Sequence, residues 1–157
     1  MPDRVQIVPY TEELKEFVKT LNEEWLQKYF AIEETDRVQL SNPGKEIIGI
    51  GGKIFFAKYN DQIIGTVSLM KIDEETYELA KMAVTEKYQG KGIGKLLIEH
   101  SIKTAKESGA KKLILYSSTR LLPAIHLYKK YGFKEVLLTS SNYKRSDIKM
   151  EKNLEYF

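Results

Sequence analysis

The hydrophobic period of this chain changes at one place, and that change restricts the folds open to it. Before it, Lys53 to Tyr59, Gln62 to Ile72 and Thr76 to Val84 read as β-strands, joined by the tight turn Asn60-Asp61 and the polar turn Asp73-Glu74-Glu75. From Gly92 the period is helical, with Ile93, Leu96, Leu97, Ile98, Ile102 and Ala105 apolar as far as Ser108-Gly109. A short apolar strand, Leu113-Ile114-Leu115-Tyr116, follows. Strands joined by such short turns run antiparallel, whereas a helix of roughly fifteen residues is long enough to carry the chain back into a parallel partner by a right-handed crossover. A mixed α/β sheet is expected, antiparallel first and parallel at the crossover.

The flanks agree with one layered domain. A strand is expected over Val5 to Val8, and Thr11-Glu12-Glu13 offers a helix N-cap. Leu14, Phe17, Val18, Leu21 and Trp25 then form a single apolar stripe. A second short helix is expected around Glu33 to Leu40, and a break at Ser41-Asn42-Pro43-Gly44. After the crossover, Pro123 opens a short helix through Tyr131, closed by Gly132, and Glu135 to Thr139 with Asp147 to Lys152 make a final hairpin. At 157 residues, 42% of them hydrophobic, the expectation is a single domain over 1–157.

Between the third strand and the long helix lies Gln89-Gly90-Lys91-Gly92-Ile93-Gly94-Lys95. Glycines there let backbone approach a ligand closely, and a helix start turns free N–H groups and a positive dipole end toward it, so the natural occupant is an anion. The dipole contributes only ~0.3–2 kcal/mol per charge, so Lys91 and Lys95 matter as well. A P-loop does not fit: three residues lie between Gly90 and Gly94 instead of four, and Leu96 follows Lys95. The dinucleotide fingerprint fails too, because Lys95 holds the position of its third glycine, and Gly49, Gly51 and Gly52 fail the same test.

The pattern that does fit is Q/R-x-x-G-x-G/A, with Gln89, Gly92 and Gly94 in its defining positions after a strand ending Met82-Ala83-Val84. Downstream, the run Ala124 to Phe133, with Tyr128 and the pair Gly132-Phe133, looks like a second motif of the same family. On these two motifs and the order of elements the chain resembles, from Val5 to Lys152, the GNAT family of acetyl-CoA-dependent N-acetyltransferases. The resemblance implies the acyl-CoA N-acyltransferase (GNAT) fold: a mostly antiparallel twisted sheet whose central parallel strands splay apart, flanked by helices. It also implies acetyl-CoA as co-substrate and no metal. Met82, Ala83 and Val84 are expected to hold pantetheine, and the backbone of Gln89, Gly90, Lys91, Gly92, Ile93, Gly94 and Lys95 the pyrophosphate.

Chemistry then asks for a base, because an amine of pKa about 10.4 is neutral in only on the order of one molecule in 10³ at pH 7. Glu78, four residues before Met82, matches the catalytic glutamate of some family members. Period-two alternation puts Glu78, Ala80, Met82 and Val84 on one face, so partial burial is expected to raise its pKa. Tyr128 matches the tyrosine that often serves the departing thiolate, although a thiol of pKa about 8.5 needs little help and the role is expected to be mainly positional. The family's asparagine position is Leu121 here, which leaves the contact expected there to Ser118 or to nothing. His126 and His100 are expected on helix surfaces. Trp25, Tyr29 and Phe30 suit either an acceptor pocket or the core.

Charge is unevenly spread: residues 1–40 carry a net −4, 41–80 a net −2 and 81–157 a net +9. The basic part suits an anionic carrier, and Glu23, Glu24, Glu33, Glu34 and Asp36 suit a cationic amine. The absence of cysteine removes thiolate nucleophiles and zinc-thiolate sites. The chain beginning Met1-Pro2-Asp3-Arg4 shows no apolar leader and no run near the ~18 residues of a membrane span. The expected protein is therefore a cytoplasmic N-acetyltransferase acting on a small-molecule or peptide amine, without nucleic acid or membrane as partner, in a family whose members are often homodimers. Two other readings stay open: a CoA-binding regulator without turnover, and a basic nucleic-acid-binding module.

Overall fold

The structure, a computed structural model, describes residues 4–141 and 143–155. Met1, Pro2 and Asp3, on which the reading of the N-terminus partly rests, lie outside the described residues. One sheet of seven strands organises the chain, in the order β1 (Gln6–Pro9), β2 (Lys53–Tyr59), β3 (Gln62–Lys71), β4 (Thr76–Val84), β5 (Lys112–Ser117), β7 (Ile148–Asn153) and β6 (Lys134–Val136). Every pairing is antiparallel except β4 with β5. The helices are α1 (Lys15–Tyr29), α2 (Glu34–Ser41), α3 (Pro43–Glu46), α4 (Ile93–Glu107) and α5 (Leu122–Lys130).

The expected meander and crossover are present. Asn60 and Asp61 both take positive φ, 48° and 61°, which matches the turn between β2 and β3 to the right-handed twist of the strands. Three local details differ from the sequence reading. Thr11 makes no side-chain cap; α1 is entered through a 3-10 turn over Glu12–Leu14. The break after α2 is one residue, Asn42, since Pro43 has its φ preset for a first helical position and starts another turn. The last hairpin is shorter on its first side, ending at Val136 with Leu137 81% exposed, and β7 enters between β5 and β6.

Apolar cores cover both faces of the sheet. Leu97, Ile98 and Ala105 of α4 pack with Val67, Leu69, Leu79, Leu113, Leu115 and Met150 on one side. On the other, Val18 and Leu26 of α1 pack with Leu40, Ile54, Phe56 and Met70. Each of these side chains larger than alanine contributes about 1.5–3 kcal/mol relative to leaving it in water. Gly52, entering β2, lies against backbone: an added Cβ there would sit 2.6 Å from the Leu69 carbonyl oxygen and 2.7 Å from that of Ile47. The glycines that failed the dinucleotide test thus include one that serves packing.

β4 positions the site through two irregularities. Its parallel pairing with β5 covers only Thr76, Tyr77 and Glu78, so from Leu79 onward the edge facing β5 is open. Against β3, Ser68 pairs with Ala80 and Thr66 with Ala83, one extra residue on β4, and Lys81 sits in that bulge at φ 56°. The bulge reverses the alternation beyond it. Met82 and Val84 pack on the α4 side with Tyr77 and Leu79, while Ala80 packs on the α1 side. The expected common face of Glu78, Ala80, Met82 and Val84 is therefore split, because an extra residue shifts a period of two by one.

Candidate active site

A cavity of about 550 Å³ opens where β4 and β5 part. Its floor is β4, from Glu78 to Met82; one wall comes from α1 and the residues after it, and the other from Tyr116 to Ala124 with Tyr128 of α5. Tyr143, Arg145 and Ser146 close it from the connection between β6 and β7.

Glu78 is 8% exposed, yet among the described residues no group hydrogen-bonds its carboxylate. Burial raises its pKa to about 7, with Lys81 and Lys149 pulling the other way. Tyr128 is 8% exposed, stacks edge-on against Phe133 at 5.9 Å and has its hydroxyl pushed up to about 12 by burial. A phenol this weak an acid stays protonated at neutral pH and can act as a hydrogen-bond donor.

The glycine loop reaches the same cavity through Gln89. Gln89 donates its backbone N–H to the Glu86 carbonyl at 3.2 Å and its side-chain Nε2–H to the Val84 carbonyl at 2.9 Å. Its part is to tie the loop to the end of β4, and its amide is spent. Gly90 and Gly92 take φ of 75° and 84°, Gly92 being the N-cap of α4. The first internal bond of that helix is Leu96 N–H to the Gly92 carbonyl at 3.3 Å. Among the described residues the N–H groups of residues 90–95 meet no acceptor, and an added Cβ at Gly90 or Gly94 would find nothing within 4 Å. Free amides facing open space at a helix start fit the diphosphate of CoA, and the open edge of β4 fits an extended amide-bearing arm.

Ser118 is buried at the cavity wall with its Oγ accepting the Arg120 N–H at 3.2 Å, and Leu121 presents an apolar wall where the family asparagine is expected. Trp25, Tyr29 and Phe30 line the cavity, and Trp25 and Phe30 also pack on the α1-side core. His126 is exposed on α5; His100 packs edge-on against Phe55 at 4.4 Å, and neither lines the cavity.

Sequence reasoning missed a buried ionic cluster. Asp36, fully buried, pairs with Lys81 Nζ at 3.2 Å and with Arg145 through two bonds of 2.8 and 2.9 Å. Tyr143 accepts from Lys81 at 2.9 Å and donates to Gln39 at 2.8 Å, and its ring lies 4.6 Å from the ammonium. Burial raises the Asp36 pKa, but the Arg145 hydrogen bond, the Glu33 N–H and the two cations outweigh it, leaving the group below the usual carboxylate range. Lys81 is held below the usual lysine range by burial, against the pull of Asp36. These partners lie up to 109 residues apart in the chain, beyond any local pattern.

Among known proteins, the acetyltransferase (GNAT) family matches residues 11–133. N-acetyltransferase YvbK of Bacillus subtilis (strain 168) is 31% identical over 102 residues, 63% of this chain and 66% of that protein. The chain spans less than two thirds of the length of that relative, and less than half of others. An acetyltransferase of the GNAT family from Staphylococcus aureus Mu50 superposes with a TM-score of 0.86 at 25% identity, over 96% of this chain and 99% of the other. A GNAT acetyltransferase from Elizabethkingia anophelis, solved with acetyl-CoA bound, gives 0.67 at 28% identity, over 96% and 99%. The chain belongs to the GNAT acetyltransferase family, and its splayed, mostly antiparallel sheet is the fold of that family. Among the described residues no helix is long and apolar enough to cross a membrane, and no three His, Asp or Glu side chains gather as metal ligands would.

Proposed function

We propose that the protein is an acetyl-CoA-dependent N-acetyltransferase that passes the acetyl group directly to a primary amine, with the whole chain acting as one domain. The observation that carries this reading is the unpartnered Glu78 carboxylate in the gap where β4 and β5 separate. Acetyl-CoA supplies the acetyl thioester. The amides of Gly90, Lys91, Gly92, Ile93, Gly94 and Lys95, with the ammonium groups of Lys91 and Lys95, take its diphosphate. The open edge at Met82, Ala83 and Val84 takes the pantetheine arm, Gln89 holds the loop in register and Ser118 shapes the wall.

Glu78 receives a proton from the arriving ammonium, which frees the nitrogen lone pair. A base with pKa near 7 accepts that proton while remaining half ionised at neutral pH. The N–C bond forms as the C–S bond breaks, and a second proton leaves the nitrogen as it becomes an amide. Of the two protons one ends on the CoA sulfur and the other reaches solvent. Tyr128 donates a hydrogen bond to the departing sulfur and keeps its own proton. Without cysteine no thiolate is available to carry the acetyl group, which supports direct transfer, and the reading places the enzyme in the cytoplasm.

Isothermal titration with acetyl-CoA, followed by thiol release across a panel of amines, tests this reading. Saturable binding with amine-dependent thiol release is expected. Binding without release to any amine would leave a CoA-binding regulator, and absence of binding would overturn the whole assignment.

A further inference from the structure

Five charged side chains line the cavity: Asp36, Glu78, Lys81, Arg120 and Arg145. Asp36, Lys81 and Arg145 balance one another in the buried cluster only together with Glu33, which pairs with Arg145 from outside the cavity. That leaves one negative and one positive group without a partner among the described residues, Glu78 and Arg120. Of the acids expected to welcome a second cationic centre, Glu23, Glu24, Glu33 and Glu34 do not line the cavity, and the last three are engaged elsewhere. Glu24 accepts from the Thr85 hydroxyl and the Glu86 N–H, Glu33 from Arg145 and the Lys144 N–H, and Glu34 pairs with Arg37. Among the described residues a polyamine thus finds one free carboxylate in this cavity and no second.

Arg120 is exposed, but it is held in place. Its guanidinium carbon lies 5.0 Å from the ring centroid of Phe30, itself packed against Trp25 at 5.5 Å. The ring restrains the group, and among the described residues no acceptor takes its N–H donors, which leaves them for a carboxylate that a guanidinium can grip through two parallel bonds. The backbone is pinned on both sides: Ser118 Oγ accepts the Arg120 N–H, and Asp147 accepts from the Thr119 N–H at 2.7 Å and the Thr119 hydroxyl at 2.6 Å. That second contact also occupies the nearest carboxylate of the β6–β7 connection.

We infer that the acceptor is an amine that carries its own carboxylate, an amino acid or short peptide, with the amine directed to Glu78 and the carboxylate bound by Arg120. This inference rests on the acetyltransferase reading and narrows its substrate class. The aromatic wall of Trp25, Tyr29, Phe30 and Tyr116 suits an apolar side chain between the two ends.

The test compares L-amino acids, each with its carboxamide and its decarboxylated amine, by thiol release from acetyl-CoA; dipeptides form a second arm that separates the two sources of carboxylate. The acid form is expected to exceed its amide in kcat/KM by about tenfold or more, although the amide's less basic amine is more often neutral. Arg120→Gln should bring that ratio to about one, and Arg120→Glu should invert it, while the KM for acetyl-CoA moves less than about twofold. Amides or plain amines that match the acids, or a panel in which no carboxylated amine accepts acetyl from an enzyme that binds acetyl-CoA, would overturn the inference and leave the acetyltransferase reading intact. A rise confined to the acetyl-CoA KM in Arg120→Gln would assign the arginine to the carrier and overturn it as well. Failure of the wild-type protein to bind acetyl-CoA would instead remove the parent reading.

Discussion

At the scale of single residues, Glu78 carries a cost that the rest of the fold absorbs. Its ordinary value is 4.5 and its value in the protein about 7, so the native state holds the proton more tightly than the unfolded chain. Stability is then complete below about 4.5 and falls as the pH rises toward 7, with a loss of up to ~3 kcal/mol at pH 8. Glu78→Gln is expected to raise the denaturant midpoint at pH 8 and leave it nearly unchanged at pH 4. The same variant should lower kcat/KM by about 10²–10⁴ and erase the acid limb near neutrality. Greater stability bought with lost activity marks a residue kept for chemistry; full activity would remove Glu78 from the mechanism. The burial of this residue was expected from its strand position four before Met82, and it lies buried in the cavity floor. Arg120 was not legible, since an arginine in a connecting segment carries no pattern, and what distinguishes it is a ring ninety residues away in the chain.

Elements show where local rules stop. The strands, the crossover helix and the helix ending in Gly132-Phe133 follow from period and turn chemistry, and the glycine loop from its spacing. The bulge in β4 does not, because a single extra residue leaves a run of strand-forming side chains looking regular. Its Lys81, at φ 56°, swings to the α1 side and joins Asp36. Removing the shared anion should therefore hurt more than removing either cation alone. Asp36→Ala leaves Lys81 uncompensated and Arg145 with Glu33 alone, and is expected to cost about 3–5 kcal/mol in urea unfolding, with Lys81→Met costing less because Arg145 still satisfies the carboxylate. Equal costs would mean that the cluster is not a unit. At the start of α4, Gly94→Ala meets open space and should stabilise the free protein by up to ~1 kcal/mol. The methyl group nonetheless occupies the ground assigned to the diphosphate, so CoA affinity by calorimetry is expected to fall about tenfold. Unchanged affinity would move the carrier elsewhere.

For the whole molecule, the uneven charge of the sequence is partly internal. Cations of the basic half, Lys81 and Arg145, are spent on acids of the acidic half, Asp36 and Glu33. Lys91 and Lys95, exposed beside the glycine loop and without ion pairs among the described residues, are the lysines proposed to meet the diphosphate. Raising salt from about 0.05 to about 0.3 M should increase the KM for acetyl-CoA several-fold. In the double variant Lys91→Ala, Lys95→Ala the KM should start higher and respond weakly, and an identical salt response would exclude these lysines. The order of strands was legible as far as the crossover. The entry of β7 between β5 and β6 was not, since it depends on pairing across the sheet and not on any local period. A further consequence follows from the three-residue contact between β4 and β5. Beyond it the protein is a fabric with an unfinished seam, the edge of β4 unpaired on that side. Whatever lies there must be thin, extended and studded with groups at peptide spacing, so the visitor completes the weave, and selection for such a shape begins before any chemistry does.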